Sequence, residues 1–214
     1  PIGQFIGYIS DGFFSSYEDV ASSPVQFGQI SRPGDIKYKD LNHDGVIDSN
    51  DQAPIGYNPV PEMTFSLAAG IDFSILLQGA ARSSIYLQQD IAWDNFWGNY
   101  YEEHIGRWTP ETAATATYPR FTKAATAAHP NYYKSDYWLK DSKYLRLKNI
   151  QLGYTIPRKL LKKFGVRSLR VYANAYNLFT WDNVKKVDPE SSNNSNGQFY
   201  PQQKVINFGI NLNF

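Results

Sequence analysis

Residues 40–51 read Asp40-Leu41-Asn42-His43-Asp44-Gly45-Val46-Ile47-Asp48-Ser49-Asn50-Asp51. Oxygen-bearing side chains stand at positions 1, 3, 5, 9 and 12 of this twelve-residue stretch. Gly45 falls at position 6, where the chain must turn sharply, and the Val46 carbonyl is available at position 7. This is the spacing of an EF-hand calcium loop, and calcium needs it because six to eight hard oxygens must converge around one turn. The candidate ligands are therefore Asp40, Asn42, Asp44, Val46, Asp48 and Asp51, and the candidate cofactor is Ca2+. Asp51 occupies a position that usually holds the longer Glu. Its carboxylate reaches an ion less easily in bidentate fashion, so weak binding is expected, with Kd of ~10⁻⁴–10⁻³ M as in extracellular modules. The segment before the loop, 34–39, looks extended, so no helix flanks it. The competing reading is an Asx-rich turn whose side chains bond their own backbone.

A second stretch, 93–104, sets Trp and Tyr beside carboxylates. Trp93, Trp97, Tyr100 and Tyr101 are candidates for contact with a sugar-like ligand or a partner, since aromatic faces combine apolar area with a polar rim. A plain folded loop is the alternative. Glu102 and Glu103 are adjacent, so in an extended chain they point to opposite faces and form no glycosidase pair. His43, His104 and His129 are scattered, with no i, i+4 partner for zinc. There is no G-x-S-x-G, Walker or G-x-G-x-x-G motif. The expectation is a protein that is not an enzyme.

The elements that must carry these segments read as strands. Residues 204–214, KVINFGINLNF, put Ile206, Phe208, Ile210, Leu212 and Phe214 on one face and Asn207, Gly209, Asn211 and Asn213 on the other. That alternation is what a strand with one apolar face requires, over a length that crosses a bilayer when tilted. Further strands are expected at 64–73, 75–88, 144–156 and 168–181, from β-branched and aromatic enrichment with polar alternation. Residues 157–165 have Pro at the start, basic residues late and Gly at the end, so they form a short turn-helix. The connections at 89–143 and 182–203 are long, and that at 157–167 is short. Outer-membrane barrels sort their loops this way.

Composition bounds the rest. The 214 residues carry 21 Lys+Arg against 20 Asp+Glu, a formal net charge of +1. A general nucleic-acid partner is excluded, because that affinity rests on clustered positive charge. The absence of Cys removes disulfides, thiolate metal sites and cysteine nucleophiles. No apolar run exceeds five residues, so no transmembrane helix is expected. A mean hydropathy of −0.47 beside 16% aromatic residues fits strands with one face in lipid and one in water. The chain opens Pro1-Ile2-Gly3 without Met or a signal-like segment, which reads as an internal or processed start.

Several phrases then occur in order. Residues 33–42 (PGDIKYKDLN) run into Asp44-Gly45-Val46-Ile47-Asp48, Asp51-Gln52 and Ile55-Gly56; later come Leu77-Gln78-Gly79, Arg107-Trp108-Thr109-Pro110-Glu111 and Tyr118-Pro119-Arg120. Tyr137-Trp138-Leu139-Lys140-Asp141 follows, then residues 144–157 (YLRLKNIQLGYTIP), Arg170-Val171-Tyr172, Asn177-Leu178-Phe179-Thr180 and Asp188-Pro189-Glu190. Together they resemble the C-terminal part of a SusC/RagA-type TonB-dependent outer-membrane transporter of Bacteroidota, over nearly the whole chain.

The resemblance implies an all-β fold: an antiparallel transmembrane β-barrel segment, roughly the last eight strands of a barrel of about 22. It spans 1–214, with the 40–51 segment inside a loop and with the plug domain and TonB box outside the chain. It also implies a cell outer-membrane location and TonB-dependent nutrient import of oligosaccharides or peptides. The implied partners are a SusD-like surface lipoprotein acting as lid, the TonB complex through the N-terminal part, the substrate and outer-membrane lipid. The loops 89–143 and 182–203 would face the outside and the lid. One departure is that Met63–Ala81 shows no turn between Phe65 and Gln78, so the first hairpin looks abbreviated. The rival readings are a soluble calcium-stabilised carbohydrate-binding β-module and a self-contained eight-stranded barrel.

Overall fold

The computed structural model describes residues 3–70, 72–87, 92–94, 100–123, 128–184, 187–190 and 202–214. In chain order the elements are β1 (Phe5–Gly7), β2 (Ser10–Phe13), helix α1 (Tyr17–Ser22), β3 (Val25–Gln26), β4 (Ile36–Tyr38), β5 (Val46–Ile47) and β6 (Ala53–Ile55). There follow β7 (Met63–Gly70), β8 (Phe73–Ala81), β9 (Ser84–Tyr86), β10 (Leu139–Asp141), β11 (Tyr144–Thr155), helix α2 (Arg158–Leu161), β12 (Ser168–Asp182) and β13 (Val205–Asn213). The described residues fall into two units. One draws on Pro1–Val60 and Ser84–Asp141, the other on Pro61–Ser83, Ser142–Glu190 and Phe199–Phe214.

The first unit is built from strands too short to be stable alone. β1 pairs with β6, β2 with β4 and β9 with β10 antiparallel, and β3 pairs with β5 parallel. Phe14, Ile36, Tyr38, Ile47, Tyr132 and Trp138 make its buried core. Polar bonds join chain segments far apart in sequence. The Ile36 amide donates to Asn131 Oδ1 (2.8 Å) and the Ser10 amide to Asp136 Oδ1 (2.8 Å). The Tyr38 hydroxyl donates to the Pro130 carbonyl (2.7 Å) and the Arg120 amide to the Gly34 carbonyl (2.8 Å). The stretch expected as a long loop, 89–143, is thus folded onto residues 5–55 where it is described.

The second unit is one antiparallel sheet in the order β13-β12-β11-β8-β7. Five long strands are present among the described residues, fewer than the roughly eight expected, because residues 3–60 form short ladders and contribute none. The hairpin expected to be abbreviated is complete. β7 and β8 pair in register from Met63↔Ala81 to Gly70↔Ser74, and the chain reverses between Gly70 and Phe73.

Register explains the two faces. Ile206 lies opposite Ala175, which lies opposite Ile150, which lies opposite Ile75; the next row is Phe208, Ala173, Leu152 and Phe73. On the other face the rows are Asn207, Asn174, Gln151 and Ser74, and further along Thr180, Arg146, Gln78 and Ser66. A shift between Leu147 and Asn149 breaks the ladder toward both β8 and β12, and Asn177 opposite it has φ of 50°. Such a bulge bends and twists the strand locally. Close backbone approach explains two glycines: a Cβ at Gly79 would strike the Phe65 ring and one at Gly209 the Tyr172 ring.

Candidate functional site

The apolar face of the five-stranded sheet is uncovered among the described residues. Ile206, Phe208, Ile210 and Leu212 on β13 are 59%, 82%, 69% and 45% exposed, and Leu67, Phe73, Leu152, Phe179 and Trp181 continue that face across the sheet as exposed side chains. In water this much contiguous apolar surface is unfavourable, at about 25 cal/mol per Å² left unburied. Phe179 and Trp181 stack at the end of β12 with centroids 6.2 Å apart, and Lys204 Nζ lies 5.8 Å from the Phe179 ring. Aromatic rings with a nearby cation suit the lipid–water boundary. The links also sort by length at the two ends of this sheet. Residues 71–72 and 156–167 join strands at one end, and 82–143 and 183–204 at the other.

The polar face carries the most connected cluster in the second unit. Arg146, whose side chain is 3% exposed, sits in β11 between Leu145 and Leu147. Its Nη2 donates to both Asp188 oxygens (2.9 Å each), Nη1 to Glu190 Oε2 (2.6 Å) and Nε to Thr180 Oγ1 (2.9 Å). Glu190 also accepts from the Tyr144 hydroxyl (2.7 Å), Gln78 Nε2 (2.9 Å), Lys148 Nζ (3.2 Å) and Gln202 Nε2. The Asp188 carboxyl is held below the usual range. Burial pushes it up, but the Glu190 amide and the Arg146 guanidinium outweigh that. In the sequence, Asp188-Pro189-Glu190 stands out only as one of the ordered phrases, inside the long 182–203 connection. The available signal was a pair of cations, Arg146 and Lys148, in a strand otherwise half apolar, since an inward charge in such a strand needs a partner.

The 40–51 loop is closed by its own side chains. Asp40 accepts from the His43 amide (2.6 Å) and the Gly45 amide (2.8 Å), Asn42 Oδ1 from the Asp44 amide (3.0 Å) and Asp44 Oδ1 from the Val46 amide (2.9 Å). Asp51 is fully buried and accepts from the Leu41 amide (2.8 Å) and the Asp48 amide (2.9 Å). Burial pushes the Asp51 carboxyl up, and the amides of Asp48, Leu41 and Asn42 outweigh it, leaving it below the usual range. Gly45 holds φ of 85°, the turn the spacing requires, and buried Ile47 pins the loop through β5. These are the bonds of an Asx-rich turn. No group of three or more His, Cys, Asp or Glu is gathered for a metal among the described residues.

The four aromatic candidates do not form one platform. Trp93 is buried with its ring 4.5 Å from that of Tyr132, while Tyr100 is exposed beside Phe121 at 5.5 Å. The Tyr101 amide donates to His104 Nδ1 (3.0 Å), and Trp97 lies outside the described residues. Glu102 and Glu103 start a 3-10 helix, Glu102–Gly106, and are not extended. Two buried carboxylates of the first unit lie outside the candidates that the sequence singled out. Asp94 accepts from the Tyr132 and Tyr118 hydroxyls and the Thr122 amide. Asp35 pairs with Arg120 (2.7 Å) and accepts from Asn131 Nδ2 (3.0 Å). Both tie loops together within the first unit.

No family model matches the chain. Among curated proteins it is 29% identical over 98% of its length to TonB-dependent receptor P26 of Formosa agariphila, covering 22% of that protein. It is 25% identical over 98% of its length to TonB-dependent receptor SusC of Bacteroides thetaiotaomicron, covering 20% of it. The chain thus spans about a fifth of the length of the curated relatives it matches. Among solved structures, the RagAB peptide transporter matches with a TM-score of 0.68 at 20% identity, over 98% of this chain and 22% of that one. The RagAB importer in its 'open-open' state matches with a TM-score of 0.67, also at 20% identity, over 99% of this chain and 22% of that one. The fold is therefore that of a TonB-dependent transporter barrel segment.

Proposed function

We propose that this chain, a segment of a SusC/RagA-type TonB-dependent receptor, forms part of the wall of an outer-membrane barrel that imports nutrients. The observation that carries the reading is the single-layer sheet with one apolar face exposed and the other face polar. A bilayer accepts that apolar face, and backbone pairing across strands satisfies the groups that lipid cannot. The polar face, with Arg146 and its carboxylates, then borders water in the lumen. The reading assigns passage of a solute, and no catalytic constellation is needed for it.

The partners follow from the same reading. A SusD-like surface lipoprotein closes over the receptor, and TonB supplies energy through the N-terminal part. The substrate is an oligosaccharide or a peptide: the family resemblance implies either, and a peptide is what the similar RagAB transporter carries by its name. The test is deletion of the gene encoding the chain, followed by growth on glycan mixtures and on peptide mixtures as sole nutrient source. Loss of growth on one mixture, with an unchanged rate on simple sugars and amino acids, is expected and names the substrate class. Unchanged growth on both, or residues 1–214 folding as a monodisperse protein without detergent, would overturn the reading.

The 40–51 loop is proposed as a weak calcium site, supported by its oxygen spacing and its Gly45 turn. Because its carboxylates already accept backbone N–H groups, binding is placed in the millimolar range. Calorimetric titration of the receptor with calcium tests this, and no heat at millimolar calcium rejects it.

A further inference from the structure

The turn between β11 and β12 has a composition that barrel closure does not explain. Residues 157–167 read Pro157-Arg158-Lys159-Leu160-Leu161-Lys162-Lys163-Phe164-Gly165-Val166-Arg167. They hold five cations and no carboxylate. The five cationic residues are all exposed, and no ion pair joins any of them to a described residue. Leu160 and Phe164 are 65% and 76% exposed, although Leu161 between them is buried.

The turn is nevertheless well built. Helix α2 runs into a 3-10 turn over Lys162–Phe164, and Gly165 closes it with φ of 69°. The Ile156 amide donates to the Leu169 carbonyl (2.8 Å), and the Arg167 amide donates to the Asn213 carbonyl (2.8 Å), which ties the turn to β13. The exposed cations and apolar side chains therefore stand on a fixed support at the end of the strands whose apolar face is uncovered. Leu152 and Tyr154 at that end of β11, and Phe214 just past β13, are exposed too.

We propose that this turn is an interfacial anchor that binds the phosphate-bearing headgroups of anionic phospholipid in the leaflet at the short-turn end of the sheet. Charge complementarity selects the occupant: five cations without an acidic neighbour in the turn fit a plane of phosphates, and Leu160 and Phe164 fit the acyl boundary beneath it. Long basic side chains reach such a plane while their stems stay on apolar surface. Each cation near an anionic leaflet adds to the attraction, within about a Debye length. The proposal rests on the membrane-wall reading of the sheet and adds a lipid class and a site to it.

The experiment uses the full receptor that carries this chain, purified in mild detergent. Native mass spectrometry measures retention of phosphatidylglycerol, of phosphatidylcholine and of inorganic phosphate. The wild type is compared with R158Q/K159Q/K162Q/K163Q/R167Q and with the milder K162Q/K163Q. Heat-modifiable gel migration reports barrel folding separately, so failure of the membrane reading shows there and not in the lipid arm. The wild type is expected to retain phosphatidylglycerol over phosphatidylcholine by at least about tenfold, less at about 0.5 M salt. The double variant should lose part of that preference and the fivefold variant most of it, with folded migration unchanged. Equal retention of both lipids, an unchanged preference in folded variants, or retention of free phosphate in place of lipid would overturn the proposal.

Discussion

Arg146 offers the sharpest test of how the polar face is held. Replacing it with Met keeps an unbranched apolar stem, shorter than that of Arg, and removes the guanidinium. In the structure this strips four hydrogen bonds from Thr180, Asp188 and Glu190. Asp188 and Glu190 are 10% and 16% exposed, so their carboxylates would stay largely buried without their main cation. Breaking one side of a buried pair costs about 3–5 kcal/mol. Glu190 keeps Lys148, Tyr144 and Gln78, which lowers the expected cost to about 2–4 kcal/mol. At about 1.36 kcal/mol per decade, that is a roughly 30- to 900-fold rise in the opening constant of the 187–190 segment. The assay is amide hydrogen exchange in the folded receptor, read at the Glu190 amide, which donates to Asp188 Oδ1 (2.9 Å). The triple change R146M/D188N/E190Q should recover much of the protection, because it removes the uncompensated charges together. Exchange in R146M within about threefold of wild type would refute the reasoning, since even the low estimate exceeds that.

Asp188 predicts a pH dependence for the same segment. Its folded pKa is lowered, so its contribution is complete above the unfolded value of about 3.9 and is lost as pH falls through the folded value. Exchange at Glu190, corrected for intrinsic rates, should accelerate only below about pH 4, and D188N should be insensitive there. Gly209→Val should displace the Tyr172 ring that covers Gly209 and weaken the β12–β13 pairing by about 1–3 kcal/mol, read as a lower temperature for heat-modifiable migration. Asp51→Asn leaves one oxygen where two accept from Leu41, Asn42 and Asp48, so the 40–51 loop should lose about 1–3 kcal/mol, seen as faster proteolysis within it.

How much of this was legible in the sequence depends on the range of the forces involved. β13 was read to within a residue, because nine residues alternate without a break and local pattern alone decides the strand. β11 and β12 were legible from local strand pattern too, and the turn-helix from Pro157 at its start and Gly165 at its end. The β7–β8 hairpin was not, since Leu67, Ala69, Ile71 and Phe73 continue the alternation straight through the point of reversal and no Gly-Asn type signal marks it. The first unit was hidden more deeply. Strands of two to four residues give no periodicity window. Their support comes from pairs such as Asn131 with Ile36, 95 residues apart, which no local rule can reach. The 40–51 loop was found from spacing, and its internal amide bonds correspond to the Asx-turn alternative. The charge cluster was missed because Arg146 and its carboxylates are separated by 42 and 44 residues.

The central claim is that one face of the five-stranded sheet meets lipid and the other meets water. Spin labels placed singly along β13 in the receptor, reconstituted into bilayers, test it by comparing quenching by oxygen, which partitions into lipid, with quenching by a water-soluble nickel chelate. Labels at Ile206, Phe208, Ile210 and Leu212 should favour oxygen, and labels at Asn207, Asn211 and Asn213 should favour the chelate, in strict alternation. Equal accessibility along the strand, or alternation in the opposite phase, would contradict the account.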